Sequence, residues 1–274
     1  MLDAERIRSH LGELRLVTEL RALTSVSSTN DIAWAWAEAG CAEGMVVVAD
    51  EQVQGRGRFG RVWHCPRGRG LLMSVVLRPP AGEVGPEHLT AVGALATAEA
   101  VEETAGLAAA IRWPNDVTVG GRKVAGVLVE GRSRDGAVAC VLGIGLNVNV
   151  GRGKFPPELA ETATSLAAEG GRELVVEDVA GALLRRLDRR YWEACGGGWP
   201  QVAAAWRERS ALEGSEVEVE TEGQRLRGRV LSADPLGGLE LELAGGQRIV
   251  CRPAATTLLA GEPEEGEGVA CCTE

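Results

Sequence analysis

The 274-residue chain is 45% apolar and 25% charged, with 39 acidic residues against 29 lysines and arginines and a formal net charge of −10. At roughly 100–200 residues per domain this composition fits a soluble globular protein with one sizeable core and a small appended domain, and the acidic balance excludes a general nucleic-acid binder, whose affinity rests largely on neutralising phosphates. No apolar run approaches the ~20 residues of a membrane span, the N-terminal MLDAERIRSHLGELRL has no uninterrupted apolar stretch of a secretory leader, and seven cysteines without C-x-x-C spacing disfavour zinc and a disulfide framework. The expectation is a reduced, cytoplasmic enzyme.

In chain order, Ile7, Leu11 and Leu14 recur at helical spacing and predict a short amphipathic helix, and the LRALTSV run at 20–26 reads as a strand. Ser28, Thr29, Asn30 and Asp31 form a capping segment that opens a helix carrying Ile32, Trp36 and Ala37 on one face and stopping at Gly40. MVVVA at 45–49 and LLMSVVL at 71–77 are buried strands. Pro86 begins a helix of several turns that ends near Gly106. Gly120 and Gly121 then join two strands as a tight hairpin. The second strand runs through VLVEG, turns at Ser133 to Gly136 and returns as AVACVLGIGLNV. Sequential antiparallel connections of this kind indicate α+β rather than α/β. Residues 151–163 lack periodicity and read as a mobile surface loop, whereas Val179, Leu183, Leu187 and Tyr191 mark a core helix and Trp199-Pro200 starts a shorter one. From 213 four short β segments separated by turns predict a small barrel, and the glycine-rich acidic tail after Gly261 reads as disordered.

Two clusters carry the chemistry. In the first, Gln52 to Trp63, the residues Gly55, Gly57 and Gly60 satisfy G-x-G-x-x-G, and Val62 extends it to the kinase pattern. A dinucleotide fold needs a helix opening directly after those glycines, but Val62-Trp63-His64-Cys65-Pro66 follows, and none of the three histidines precedes Arg-Asp as a kinase would require. What remains is a flexible backbone with Arg56 and Arg58, planar forks suited to an anion. The second cluster is Trp113-Pro114-Asn115-Asp116 followed across the hairpin by Lys123-Val124-Ala125-Gly126, which can bring acid, amide and lysine to one surface, with Gly126 admitting a close approach to the backbone.

These segments, with Ser28-Thr29-Asn30, Gly143-Ile144-Gly145-Leu146-Asn147-Val148 and Ala163-Thr164-Ser165-Leu166, resemble in residue type and order the biotin protein ligases, in a short form without an N-terminal DNA-binding domain. The resemblance spans about 28 to 166, and the β segments at 213–260 resemble the family's SH3-like C-terminal domain. It implies an α+β fold: a class II synthetase-like catalytic domain over 1–211 with a mixed, largely antiparallel sheet and flanking helices, a small β barrel over 212–261, and the tail 262–274. It implies a reaction in which biotin carboxylate attacks the α-phosphate of MgATP to give biotinyl-5′-AMP and pyrophosphate, after which a lysine of a biotin carboxyl carrier protein, of acetyl-CoA carboxylase or a related carboxylase, attacks the mixed anhydride. Lys123 then bridges carboxylate and phosphate. Gly55, Arg56, Gly57 and Arg58 hold biotin and the adenylate. Ser28, Thr29, Asn30 and Gln52 suit a ureido ring, and Trp63 walls the pocket. Asn115, Asp116 and Asn147 are placed for nucleotide or Mg²⁺, Asp116 also as a base for the acceptor lysine, and Arg252 is a candidate nucleotide contact.

A lipoate or octanoate ligase or transferase is the nearest alternative, although the Gly/Arg segment through Trp63 favours biotin. An RNA-binding module is disfavoured by the acidic charge, and a repressor by the short segment before Ser28, too short for a winged helix. Phe59 stands where many relatives carry arginine, and Arg112 where lysine is common. The edges of the central sheet offer a route to a homodimer, and neither DNA nor membrane is expected as a partner.

Overall fold

The computed structural model describes residues 1–134, 137–210 and 212–261. The expected turn at Asp135-Gly136 and the acidic tail at 262–274 lie outside the described residues. In chain order the elements are α1 (Ala4–Ser9), β1 (Glu19–Leu23), α2 (Thr29–Glu38), β2 (Met45–Ala49), β3 (Gly70–Leu77), α3 (Pro86–Ala105), β4 (Ala110–Arg112), β5 (Asp116–Val119), β6 (Arg122–Arg134), β7 (Ala137–Asn147), α4 (Leu166–Gly170), α5 (Val176–Cys195) and α6 (Trp199–Arg209). Five strands follow: β8 (Glu216–Thr221), β9 (Gln224–Asp234), β10 (Gly238–Leu243), β11 (Arg248–Cys251) and β12 (Thr256–Gly261).

The α+β expectation holds. Seven strands form one sheet in the order β1-β2-β3-β7-β6-β5-β4. Only β1 and β2 pair in parallel; the other neighbours are antiparallel. Period-2 alternation sorts this sheet's side chains between two faces. Val46, Val48, Leu71, Met73, Val75, Leu142, Ile144 and Leu146 join the main core with α3, α5 and α6. Met45, Val47, Val76 and Val141 face the other way, under Ala33 and Trp34 of α2. Because α2 is short, it covers only part of that second face. The uncovered remainder, floored by Gly143 and Gly145 of β7, is a cleft.

The helix from Pro86 ends where predicted, with Gly106 in the left-handed region at φ 68, and Gly120 and Gly121 turn the hairpin at φ 54 and 74. Several expectations shift. The first helix stops at Ser9, because Gly12 at φ 63 turns the chain before Leu14 can join it. The buried face of α2 is Thr29, Asn30, Ala33 and Trp34; Ile32, Trp36 and Ala37 are only half-buried. Ser28 caps α2 by position, without a side-chain hydrogen bond to it. Residues 151–163 are no free loop: they form two 3₁₀ turns and bury Phe155, and Lys123 of β6 donates its backbone N–H to Thr162 O at 2.8 Å while Thr164 N–H donates to Lys123 O at 2.9 Å. The C-terminal sheet has five strands, β11-β10-β9-β8-β12, one more than expected. Its inward residues Val217, Val219, Val230, Leu239 and Leu241 are continuous with the main core.

Candidate active site

The cleft has a volume of about 350 Å³, within the usual range for a small-molecule site. It is walled by the start of α2, the Gly/Arg segment, the β4–β5 turn, β6, β7, the 151–163 segment and Thr257 to Leu259 of β12. Of the predicted residues, Ser28, Thr29, Asn30, Gln52, Arg56, Gly57, Arg58, Trp63, Asn115, Asp116, Lys123, Gly126 and Asn147 all line it. Gly55 is buried behind the wall, where a Cβ would meet Trp63 O at 2.9 Å and Gln52 Nε2 at 3.0 Å. Arg252 is exposed and does not line the cleft.

Lys123 reaches the cleft through an irregularity. Val117 pairs with Ala125 but Thr118 pairs with Lys123, so β6 carries one extra residue at that point. Strict alternation from the cleft-facing Gly126 and Leu128 would turn Lys123 to the core; the bulge turns it back. Its Nζ lies 2.6 Å from Asp116 Oδ1 and 5.5 Å from the Trp63 ring centroid. The other carboxylate oxygen of Asp116 pairs with Arg112 at 3.1 Å. Both oxygens therefore have a cation, and taking a proton would break an ion pair, which disfavours Asp116 as a base and favours it as the group that aims Lys123.

Trp63 packs flat against β7, where only glycine fits at 145: a Cβ there would meet the indole nitrogen at 2.7 Å. That nitrogen is buried with no hydrogen-bond partner. Asn147 donates Nδ2–H to Thr164 O at 3.1 Å, while its Oδ1 is also buried and unpartnered. A buried donor or acceptor without a partner is costly; both atoms are turned into the wall of the cleft rather than toward its open space.

The two arginines already have partners. Arg56 grips Asp31 with two hydrogen bonds, at 3.1 and 2.5 Å. The hydrogen bond to Arg56 holds the Asp31 carboxyl below its ordinary range, and the same bond raises Arg56. Arg58 donates to Asn115 Oδ1 at 3.2 Å and, across to the C-terminal sheet, to Pro253 O and to Thr256 O. Burial pushes its pKa down. Phe59 beside it is exposed at φ 56, a left-handed conformation unusual for an aromatic residue. Asn115 is fixed by Nδ2–H to Val127 O at 2.8 Å, and the Trp113 indole donates to Asp234 O at 3.4 Å.

Sequence reasoning passed over Asp31 as the partner of Arg56, Ser74, Glu130 and the β12 wall. Ser74 was visible as the one hydroxyl in an apolar strand, and Glu130 as a carboxylate at the end of VLVEG. Cys65 beside the cleft is no nucleophile, since burial raises its thiol to about 12.

The biotin/lipoate A/B protein ligase family model matches residues 22–147. The chain is 34% identical over 268 residues to the biotin–[acetyl-CoA-carboxylase] ligase of Mycobacterium tuberculosis, covering 89% of this chain and 95% of that one. This chain belongs to the biotin protein ligase family. Another relative is the bifunctional ligase/repressor BirA of Bacillus subtilis, 35% identical over 218 residues, with 79% of this chain and 67% of that protein covered. The structure of the biotin protein ligase from Aquifex aeolicus in complex with biotin and ATP superposes with a TM-score of 0.74 at 27% identity, over 88% of this chain and 99% of that one. The biotin protein ligase fold thus extends through both sheets, including the C-terminal one.

Proposed function

We propose that the chain is an ATP-dependent biotin protein ligase that forms biotinyl-5′-AMP and transfers the biotinyl group to a lysine of a biotin carboxyl carrier protein. The observation that carries this is one cleft lined both by a neutral polar group (Ser28, Thr29, Asn30, Gln52) and by Lys123 with its partner Asp116.

A carboxylate with a pKa near ~4 is already ionised at neutral pH, so the first step needs positioning and charge neutralisation rather than a base. The polar end holds the ureido ring, and the biotin carboxylate meets Lys123. A carboxylate oxygen forms a bond to the α-phosphorus while the bond to the bridging oxygen of pyrophosphate breaks. Lys123, released in part from Asp116, neutralises charge on the phosphoryl oxygens. Arg56 exchanges Asp31 for the incoming anion. Asn147 stands in the nucleotide wall, its Oδ1 reachable only when that wall shifts, and Trp63 lies against the floor beneath the intermediate. In the second step the carrier lysine amine attacks the acyl carbon, the C–O bond to AMP breaks, and the amine's proton leaves with AMP or to solvent.

Among the described residues no cluster of three or more His, Cys, Asp or Glu could hold a metal. The candidate oxygens are already engaged, both of Asp116 by Lys123 and Arg112 and Asn115 Oδ1 by Arg58, so the residues present do not form a protein-built magnesium site, and an ion arriving on ATP would be held chiefly by phosphates and water. Bound there, Mg²⁺ would neutralise polyphosphate charge. We place the domain boundary at 211/212 and the site of action in the cytoplasm. No helix among the described residues is long and apolar enough to cross a membrane. Two copies would pair along a free edge of the large sheet, β1 or β4, and sedimentation at micromolar concentration tests it; a monomer there removes the dimer.

The deciding experiment mixes protein, MgATP, biotin and a competent carrier domain and reads the carrier's mass. One biotinyl addition is expected, absent without ATP and absent with lipoate replacing biotin. Lipoyl addition in place of biotinyl would assign the chain to the lipoate branch.

A further inference from the structure

Behind the Asn30 wall of the cleft, Glu130 Oε2 lies 2.7 Å from Asn30 Nδ2 and 3.3 Å from the Trp34 indole nitrogen. An indole N–H can only donate, so this carboxylate oxygen is an acceptor and turns the Asn30 amide to present its Oδ1 to Ser74. The Arg132 guanidinium lies over the Trp34 ring at 4.1 Å, and the Asn30 amide rests on Gly143, where a Cβ would collide with it. Both fix the arrangement. At the far end Gln52 Oε1 accepts the Thr29 backbone N–H at 2.7 Å and is likewise an acceptor.

Between these fixed acceptors run three oxygen–oxygen contacts. They are Asn30 Oδ1 to Ser74 Oγ at 2.6 Å, Ser74 Oγ to Thr29 Oγ1 at 2.7 Å, and Thr29 Oγ1 to Gln52 Oε1 at 2.8 Å. Only the two hydroxyls, of Ser74 and Thr29, bring a hydrogen to them. Three contacts share two hydrogens, so one pair of oxygens faces each other bare; Ser74, Thr29 and Asn30 are 0–4% exposed, where water gives little relief, while the half-buried Gln52 also takes the Ser28 hydroxyl at 3.5 Å. Thr29, Asn30 and Gln52 line the cleft, whereas Ser74 and Glu130 stand behind it.

We propose that Glu130, acting through Asn30 and Ser74, is a positioning residue that keeps this chain one hydrogen short, and that the shortage selects a ligand bearing an N–H. This rests on the biotin reading above and deepens it. A ureido N–H aimed between Thr29 Oγ1 and Gln52 Oε1 bonds to both in a three-centre arrangement and relieves the bare pair. A dithiolane ring has no such hydrogen.

Two substitutions remove the shortage without touching a ligand contact. In Glu130→Ala the Asn30 amide is free to turn and donate Nδ2–H to Ser74, whose hydrogen then serves Thr29. In Ser74→Ala two of the three contacts vanish, and the Thr29 hydrogen suffices for the third. Calorimetry would give Kd for biotin and for a cyclic carbamate analogue with one ureido N–H replaced by oxygen, with thermal unfolding checking that each variant is folded. The ratio of the two Kd values should be on the order of 100-fold in the parent and about tenfold in either variant, as expected for a buried polar pair left bare or satisfied. The KM for ATP, which a general loosening of the fold would raise, should not move. Ser74→Ala decides if Glu130→Ala is unfolded. A parent-like ratio in the folded variants overturns the positioning role while leaving biotin ligation intact; failure of the parent to bind biotin overturns both.

Discussion

In the proposed reaction Lys123 neutralises the developing charge, and Asp116 is the neighbour that aims it. Its ion pair with Asp116 is partly exposed, with 28% of the lysine and 16% of the aspartate side chain accessible, so Lys123→Ala should change stability by no more than about 1 kcal/mol. Adenylate formation should fall on the order of 100-fold or more, the usual cost of removing one preorganised group from a developing negative charge. Pyrophosphate exchange measures it, and a parent-like rate would refute the role. Asp116→Asn separates positioning from base catalysis. Asparagine keeps the size but not the charge that aims Lys123, so adenylation should slow about tenfold. Transfer from preformed biotinyl-5′-AMP should stay within about twofold, because both carboxylate oxygens are occupied by Lys123 and Arg112. Slowed transfer with normal adenylation would restore Asp116 as the base.

At the scale of elements, the Gly/Arg segment is pinned rather than loose. Gly57 N–H donates to Arg61 O at 2.7 Å, Trp63 N–H to Gly55 O at 2.9 Å, and Arg58 ties the tip to the carbonyls of Pro253 and Thr256 just ahead of and within β12. Arg58→Gly removes that tie and the contact with Asn115, so the adenylate should leave about tenfold faster and label lysines of bystander proteins. Trapping released biotinyl-5′-AMP by filtration tests it, and retention equal to the parent would show that the tie does not govern escape. Strands such as MVVVA and LLMSVVL, the Gly120-Gly121 turn and the helix between Pro86 and Gly106 were legible because each is set by local chemistry: β-branched runs, positive φ, and the helix-end preferences of proline and glycine. The strand Thr256–Gly261 was not, since it is short, follows a 3₁₀ turn at Pro253–Ala255 and is held by pairing with β8 rather than by its own pattern. Ser74 and Glu130 were hidden for a related reason. They meet Asn30 only because β3, β7 and β6 are adjacent, with Ser74 and Leu128 both opposite Gly143 and Glu130 opposite Val141, and sheet register is not written in any one strand. The bulge that turns Lys123 into the cleft was likewise invisible, although the lysine itself was not.

Across the whole molecule the helical layer behind the sheet is held by carboxylates that fold into arginine clusters, which makes stability a function of pH. Glu99 on α3 has a side chain only 7% exposed and pairs with Arg189 at 2.8 Å and with Arg190 of α5. Glu103 one turn on pairs with Arg185 at 2.6 Å and Arg186 at 2.7 Å. Burial raises both carboxyl pKa values, but the hydrogen bonds and charges of these arginines outweigh it and leave both lowered. Glu169 is lowered in the same way, burial being outweighed by Thr164 and Arg122, and Asp31 is lowered chiefly by its bond to Arg56. A carboxyl with a folded pKa below its unfolded value, about 4 for these groups, binds protons more tightly in the unfolded chain. Its contribution is therefore complete above about pH 5 and is lost as pH falls through 4 toward the folded value. The urea midpoint should accordingly be flat in its carboxylate contribution from pH 7 to about 5 and fall below that. Glu99→Gln should lower stability at pH 7 by about 1–3 kcal/mol, the range for hydrogen bonds to a charged group, because it leaves Arg190, the more buried of its two arginines, without its closest counter-ion. The gap between variant and parent should close as the parent's own Glu99 takes up a proton near and below pH 4. A gap that stayed constant down to pH 3 would mean that Glu99 contributes packing alone, and that α3 and α5 are held by their apolar contacts rather than by this charge cluster.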